Sequence, residues 1–227
     1  MRKFIFAGIW AVLSSFGLFA IEPTTMWPYL FDDFQEATFY TPKGDKGKAK
    51  INIHLLRNDL HYLNGSKIYS PDNQNDVARL ILADSTIFVR CENFFIEVWG
   101  ETPQAIVGRR VTGDFDRLLQ GTGAYGTSAS TSAIDKLSSL QIGGITDLNY
   151  DFIRVEREAG EALPVTERLY FVVNGKLYAA NKRTVSKLLP KSEQKAFGSF
   201  LKENDIKWKD AEGLRKVLEY ISPRLAQ

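Results

Sequence analysis

Apolar and polar positions alternate along most of the first half of the chain. In residues 49–55, Ala49, Ile51, Ile53 and Leu55 fall on one face and Lys50, Asn52 and His54 on the other. That is period two, the pattern of a half-buried antiparallel strand. FQEATFYT before it, LHYL after it, and then VARLIL, TIFVR, FFIEVW and AIVGRRVTGDF repeat the texture. These runs are short, rich in Ile, Val and Phe, and parted by turn residues, which predicts a meander or a small barrel. Asn64-Gly65 marks a turn. Asn174-Gly175, between RLYFVV and KLYAA, marks a hairpin.

The period changes in the tail. Leu214, Val217, Leu218 and Ile221 follow the i, i+3, i+4, i+7 spacing of an amphipathic helix, with Asp210 as its N-cap and Pro223 beyond its end. Ala196, Phe197, Phe200 and Leu201 mark another helix, started near Ser192 and stopped near Asn204. Helices are thus expected within 183–222. Strands and helices are segregated, not alternating, so the fold class is α+β and no Rossmann-type parallel sheet is indicated. Residues 118–134 are 17 positions without a charge, and nine of the twelve in GTGAYGTSASTS are Gly, Ser or Thr. This reads as a long loop or linker. The organisation is then an antiparallel β-rich region over 27–117, an uncharged loop over 118–146, and a β-hairpin plus C-terminal helices over 147–222. LNYDFIRVER opens the last part, which forms one compact unit with the first.

Residues 1–20 do not share this patterning. Arg2 and Lys3 precede an apolar run from Phe4 to Leu13, then serines and small residues, the layout of a secretory signal peptide. Cleavage falls after Gly17 or after Ala20. As an uncleaved helix, Phe4 to Ala20 would span only about 25 Å against roughly 30 Å of hydrocarbon, so processing is the expectation. No later segment is apolar enough to span a bilayer. Export changes the charge arithmetic: 29 Lys and Arg against 27 Asp and Glu become 27 against 27 once the leader is gone. That balance, like the exported setting, disfavours nucleic acid. At 44% apolar and 25% charged residues the chain is in the globular range. A single cysteine excludes an internal disulfide framework and a Cys-based structural zinc site.

The candidate chemistry is thin. Gly121–Gly126 matches G-x-G-x-x-G with Asp147 beyond it, but the strand that must precede the first glycine is missing, so no dinucleotide cofactor is expected. Ser192 and Lys195 have the S-x-x-K spacing of penicillin-recognising enzymes, without the S-D-N and K-T-G elements. Cys91 alternates with apolar neighbours and reads as a buried strand residue. Asp32, Asp33 and Glu36 could hold a glycosidase carboxylate, which only separation in space would reveal. Asn64-Gly65-Ser66 is a sequon as well as a turn, and Asp84-Ser85-Thr86 resembles a short O-glycosylation signal.

The two histidines are the one place where spacing suggests a site. With Asn58-Asp59 as a two-residue hairpin loop, Arg57 pairs with Leu60, Leu56 with His61 and His54 with Leu63. His54 and His61 then share a face as diagonal neighbours roughly 7 Å apart. They supply two metal ligands where zinc needs a third. The other reading is two polar residues on the solvent face. The tail from Lys182 to Gln227 holds 11 basic and 6 acidic residues. Its Lys187, Lys195, Lys202, Arg215 and Lys216 form the candidate surface for an anionic partner.

WPYLFDDFQEATFY, KAKINIHLLRNDLHYLNGSKI, AYGTSASTS, and the tail pieces KLLPKSEQKAF, FLKENDIKWKD and VLEYI together resemble uncharacterised exported proteins of Bacteroides-type bacteria. The resemblance runs over most of residues 27–222, with Ala37 standing where a glycine is expected. It implies export and a bacterial envelope setting. The set has no assigned activity, so no functional residues carry over. The expectation is an exported, non-catalytic binding or structural protein of the periplasm or outer surface, with no cofactor, acting on an envelope component. The alternative is an extracytoplasmic hydrolase with His54 or His61 as base or metal ligand.

Overall fold

The computed structural model describes residues 29–55, 58–114 and 165–225. Residues 1–20 with their leader-like pattern, the G-x-G-x-x-G match, the uncharged run expected to be a loop, and LNYDFIRVER lie outside the described residues. Ten strands and three C-terminal helices make the fold α+β and predominantly antiparallel β. The strands are β1 (Gln35–Tyr40), β2 (Lys46–His54), β3 (Asp59–Asn64), β4 (Lys67–Tyr69), β5 (Arg79–Leu82), β6 (Ile87–Cys91), β7 (Phe94–Glu101), β8 (Ala105–Gly113), β9 (Val165–Val173) and β10 (Lys176–Ala179). The helices are α1 (Lys182–Ser186), α2 (Gln194–Glu203) and α3 (Ala211–Ile221).

All ten strands join one sheet in the order β10-β9-β8-β7-β6-β5-β1-β2-β3-β4. Two meanders, β1–β4 and β5–β10, meet where β5 pairs with β1. Both Asn-Gly pairs make turns as expected, with Gly65 and Gly175 at positive φ between β3–β4 and β9–β10. β4, three residues long, has too few positions to show a period.

The sheet curls strongly. Gly113 at the end of β8 donates its N–H to the carbonyl of Leu55 at the end of β2, five strands away in the sheet order, at 3.1 Å. Asn58 locks this closure. It is 2% exposed and sits at φ 59°. Its side-chain Nδ2 donates to the Val111 carbonyl at 3.4 Å, and its Oδ1 accepts from the Phe95 N–H. Asparagine tolerates the left-handed conformation better than other residues with a Cβ. Asn58→Ala is therefore expected to destabilise the fold by about 3 kcal/mol, and Asn58→Gly by about 2, in urea denaturation.

Inside the curl lies a core that includes Ile51, Ile53, Leu80, Phe88 and Phe95. A second core forms where the helices cover β7–β10. Val107, Phe171 and Val173 meet Val185, Phe197 and the α3 stripe Leu214, Val217, Leu218 and Ile221. A third cluster, Val89, Cys91, Ile96 and Val172, occupies the other face, as strict alternation along β7 and β9 requires. The Asp210 carboxylate caps α3 by accepting from the Gly213 N–H at 2.8 Å. α2 is different. Glu193 stands at its cap position with no side-chain cap bond, and Ser192 is exposed in the turn before it, so the serine does not cap that helix.

The two ends of the sheet are finished differently. Beyond the short β4, the outer side of β3 is closed by a side chain: Gln74 Oε1 accepts from the Leu60 N–H at 2.8 Å and its Nε2 donates to the Leu60 carbonyl at 3.0 Å. A primary amide thus stands in for a neighbouring strand. At the other end β10 pairs with β9 only over Tyr170–Val173, while β8 pairs with β9 along its whole length.

Candidate functional site

His54 and His61 do come together, in a different register and a different environment. β2 ends at His54 and β3 begins at Asp59, so His61 pairs with Asn52 and His54 with Asp59, not with Leu63. The slip is four residues, an even number, so both rings keep a common face. Their centroids are 5.2 Å apart. That face is not solvated. The segment before β1 lies across it: Leu30 donates to the Ile53 carbonyl, and the Asn52 amide clasps the N–H and carbonyl of Phe31 at 3.0 and 2.8 Å. The half-buried reading of β2 therefore holds only for its first half, since Ile51, Asn52, Ile53 and His54 are buried on both faces.

Tyr29 completes the cluster. Its hydroxyl meets His61 Nδ1 at 2.8 Å, and its ring packs edge-on to both imidazoles. His61 is 1% exposed, and its Nε2 is buried with no hydrogen-bond partner among the described residues. Burial, reinforced by the neighbouring His54, pushes its pKa down to about 3. A general base must reach a substrate proton and a metal ligand must open onto its ion. His61 is enclosed, neutral and held by tyrosine, which suits a structural wedge. No group of three or more His, Cys, Asp or Glu side chains that could hold a metal is found among the described residues.

A second polar cluster lies under the helices. Arg109 points inward from β8 and is 7% exposed. Glu97 of β7 takes its Nη2 at 2.7 Å and its Nε at 3.2 Å, and Glu167 of β9 takes Nη1 at 3.1 Å. The guanidinium also faces the Trp99 ring, 5.4 Å from the centroid, and Trp99 Nε1 donates to Glu97 at 3.2 Å. Geometry on β7 makes room for this. The register shifts between Val98 and Gly100, leaving Trp99 as the bulged residue. Opposite, a Cβ on Gly108 would come within 2.1 Å of the Glu97 carbonyl oxygen, so only glycine fits there. The signal in the sequence is one charged residue at an inward position of each of three adjoining strands: Glu97 in FFIEVWGE, Arg109 in AIVGRRVTG, Glu167 in VTERLYFVV.

Trp99 and Glu167 also line a cleft of about 560 Å³. Its other walls include Tyr170 of β9, Ala180 just past β10, and Trp208 before α3. Arg168 and Lys209, both exposed, are its remaining charges. The cleft therefore joins two indoles, with the tyrosine on the opposite face of β9, to two cations, beside a network in which one guanidinium meets two carboxylates. Aromatic walls with a few fixed polar groups are what binding sites present.

The remaining candidates stand apart from it. Lys187, Lys195, Lys202, Arg215 and Lys216 are all exposed. Two of the five are engaged: Arg215 donates to the Trp99 carbonyl, and Lys216 pairs with Glu212 at 2.8 Å. Ser192 and Lys195 are both at the surface, flanking the start of α2. Cys91 is buried, donates to the Gly175 carbonyl at 3.0 Å, and has its pKa pushed up by burial to about 11, so it is an unreactive strand residue. Asn64 to Ser66 are exposed in the β3–β4 turn, and Asp84 Oδ1 accepts from the Thr86 N–H at 2.8 Å in the β5–β6 turn. Asp32, Asp33 and Glu36 are exposed near the start of β1. Among the described residues no helix is long and apolar enough to cross a membrane. No protein-family model matches the chain, and no curated protein or solved structure matches it either.

Proposed function

We propose that the protein is an exported binding protein of the bacterial envelope, periplasmic or on the outer surface, that acts without catalysis. The cleft between Trp99 and Trp208, at the edge of β9, carries this reading. Its indole walls are half-buried, and Arg109, deeply buried beside it, is held by two carboxylates, so the polar part of the site is built before any ligand arrives. Export rests on the leader-like residues 1–20.

The test has two parts. In expressing cells the mature chain should begin at Leu18 or Ile21 and fractionate with the periplasm or the outer surface. A photo-crosslinking residue at Lys209 should give discrete adducts there, lost in Trp208→Ala. Retention in the cytoplasm with an intact leader refutes the location. Turnover of generic ester, amide or glycoside substrates by the purified protein, abolished by His61→Gln, would establish the hydrolase instead.

A further inference from the structure

Among the described residues the cleft is also a strand position with no occupant, and we infer that its ligand is an extended acidic peptide that continues the line of β10 and adds to β9. This rests on the cleft being the ligand seat. β10 follows β9 from Val173 back to Tyr170, and Ala180 adds one more bond by donating to the Leu169 carbonyl at 2.9 Å. There the chain leaves. Asn181 turns back, its N–H on the Ala179 carbonyl at 2.9 Å and its side chain capping α1 through the Thr184 N–H. β9 nevertheless runs on for four residues to Val165, held in extended form by β8 through pairs from Leu169↔Arg109 to Val165↔Gly113.

Backbone groups of a strand alternate between its two neighbours. Leu169 bonds toward β10, so the N–H and C=O of Glu167 and Val165 point the same way, and no described residue pairs with them on that side. The far end of the sheet shows the contrast, where Gln74 occupies the equivalent groups of Leu60. An extended edge without a partner strand, beside a side-chain cleft, is the geometry of strand addition.

The walls specify the peptide. A residue placed opposite Arg168 shares its face and favours aspartate or glutamate, with Lys209 adding a second cation at the rim. The next residue, opposite Glu167, emerges on the other face beside Trp99 and Trp208, where an apolar or aromatic side chain fits; Glu167 itself is already paired with Arg109.

Nine-residue peptides selected by display against the full protein, with the strongest resynthesised as the probe, test this. The selected set should alternate acidic and apolar positions. Exchange of the Glu167 and Leu169 amides should slow at least tenfold on binding. N-methylation of the probe should abolish binding at every second residue and leave the others unchanged. The exposed Arg168→Glu variant should bind the acidic probe at least tenfold more weakly and select basic peptides. Insensitivity to N-methylation position, protection confined to the lysines of α1 and α2, or failure to select any peptide each overturns strand addition. So does protection of Glu167 and Leu169 in the free protein, which would assign the edge to another part of this chain. If peptides fail but Lys209 crosslinks to a non-peptide component, the cleft remains the site and only its ligand class is wrong. If the probe protects a different surface, the cleft reading fails with it.

Discussion

Moving the protein from pH 7 to pH 5 is expected to lower its stability by about 2 kcal/mol through His61 alone. The folded-state pKa of about 3 lies below the unfolded value of 6.5. The unfolded chain therefore binds the proton first as pH falls. The contribution of the neutral buried ring is fully present above about 6.5 and is lost progressively as pH falls toward 3. At 1.36 kcal/mol per unit, the 1.5 units between 6.5 and 5 give the figure. The charged ring would lie 1% exposed, with His54 at 5.2 Å and no carboxylate paired to it among the described residues. Carboxylates mostly titrate below this window, so His61 dominates its slope. His61→Gln should be less stable at pH 7, having lost its bond to Tyr29, yet nearly flat between pH 7 and 5. Denaturant midpoints at four pH values suffice, and an unchanged slope in the variant would mean that the ring does not titrate from this enclosure.

Arg109→Met should cost about 3 kcal/mol and, for a domain of this size, lower the melting temperature by roughly 6–12 °C. The loss comes from what remains. Glu97, with a side chain only 18% exposed, keeps its charge and loses two bonds to the guanidinium. Trp99 loses the cation over its ring. Combining Arg109→Met with Glu97→Gln should recover part of the loss, because a neutral amide is cheaper to leave buried than an unpaired carboxylate. A double variant as unstable as the sum of the singles would show that the two side chains are not coupled. Arg79→Met is the surface control. Arg79 pairs with Glu101 at 2.7 Å and 2.9 Å, but both side chains are about a third exposed, and the expected cost is under about 1 kcal/mol.

The elements were legible because their signals are local. Period two in residues 49–55, Asn174-Gly175 between two apolar runs, and the Leu214–Ile221 stripe with its Asp210 cap each need only a few neighbouring residues to read. The β2–β3 turn was not. Asn58-Asp59 looks like a two-residue loop, but Asn58 is drawn to β7 and β8 by contacts 37 and 53 positions away, and the pairing moves with it. Nor could the histidines' surroundings be read: Tyr29, 32 residues before His61, decides that their face is dry. The Arg109 cluster lies between. Its three charges occupy inward positions of their strands, which a count of alternation reveals, but their meeting depends on β9 returning to β8 after a long excursion. The expectation of export rests on residues 1–20, which lie outside the described residues.

The sealed outer side of β3 restricts how molecules of this protein can assemble with each other. Sheets that fuse end to end without limit need two compatible edges per molecule, so that each copy can be both donor and recipient. Here one terminus of the sheet is the three-residue β4, with the Gln74 amide closing β3 beside it. The other is β10, whose Leu177 N–H donates to Glu92, with the run of β9 beyond it unpaired on that side among the described residues. Among the described residues, self-association through backbone pairing is then favoured between one β9 run and another, which gives a two-fold dimer and then stops. Copies held at high local concentration are in this way kept from forming filaments. Gln74→Ala, which reopens the second terminus, should be the substitution that turns a closed pair into a growing chain.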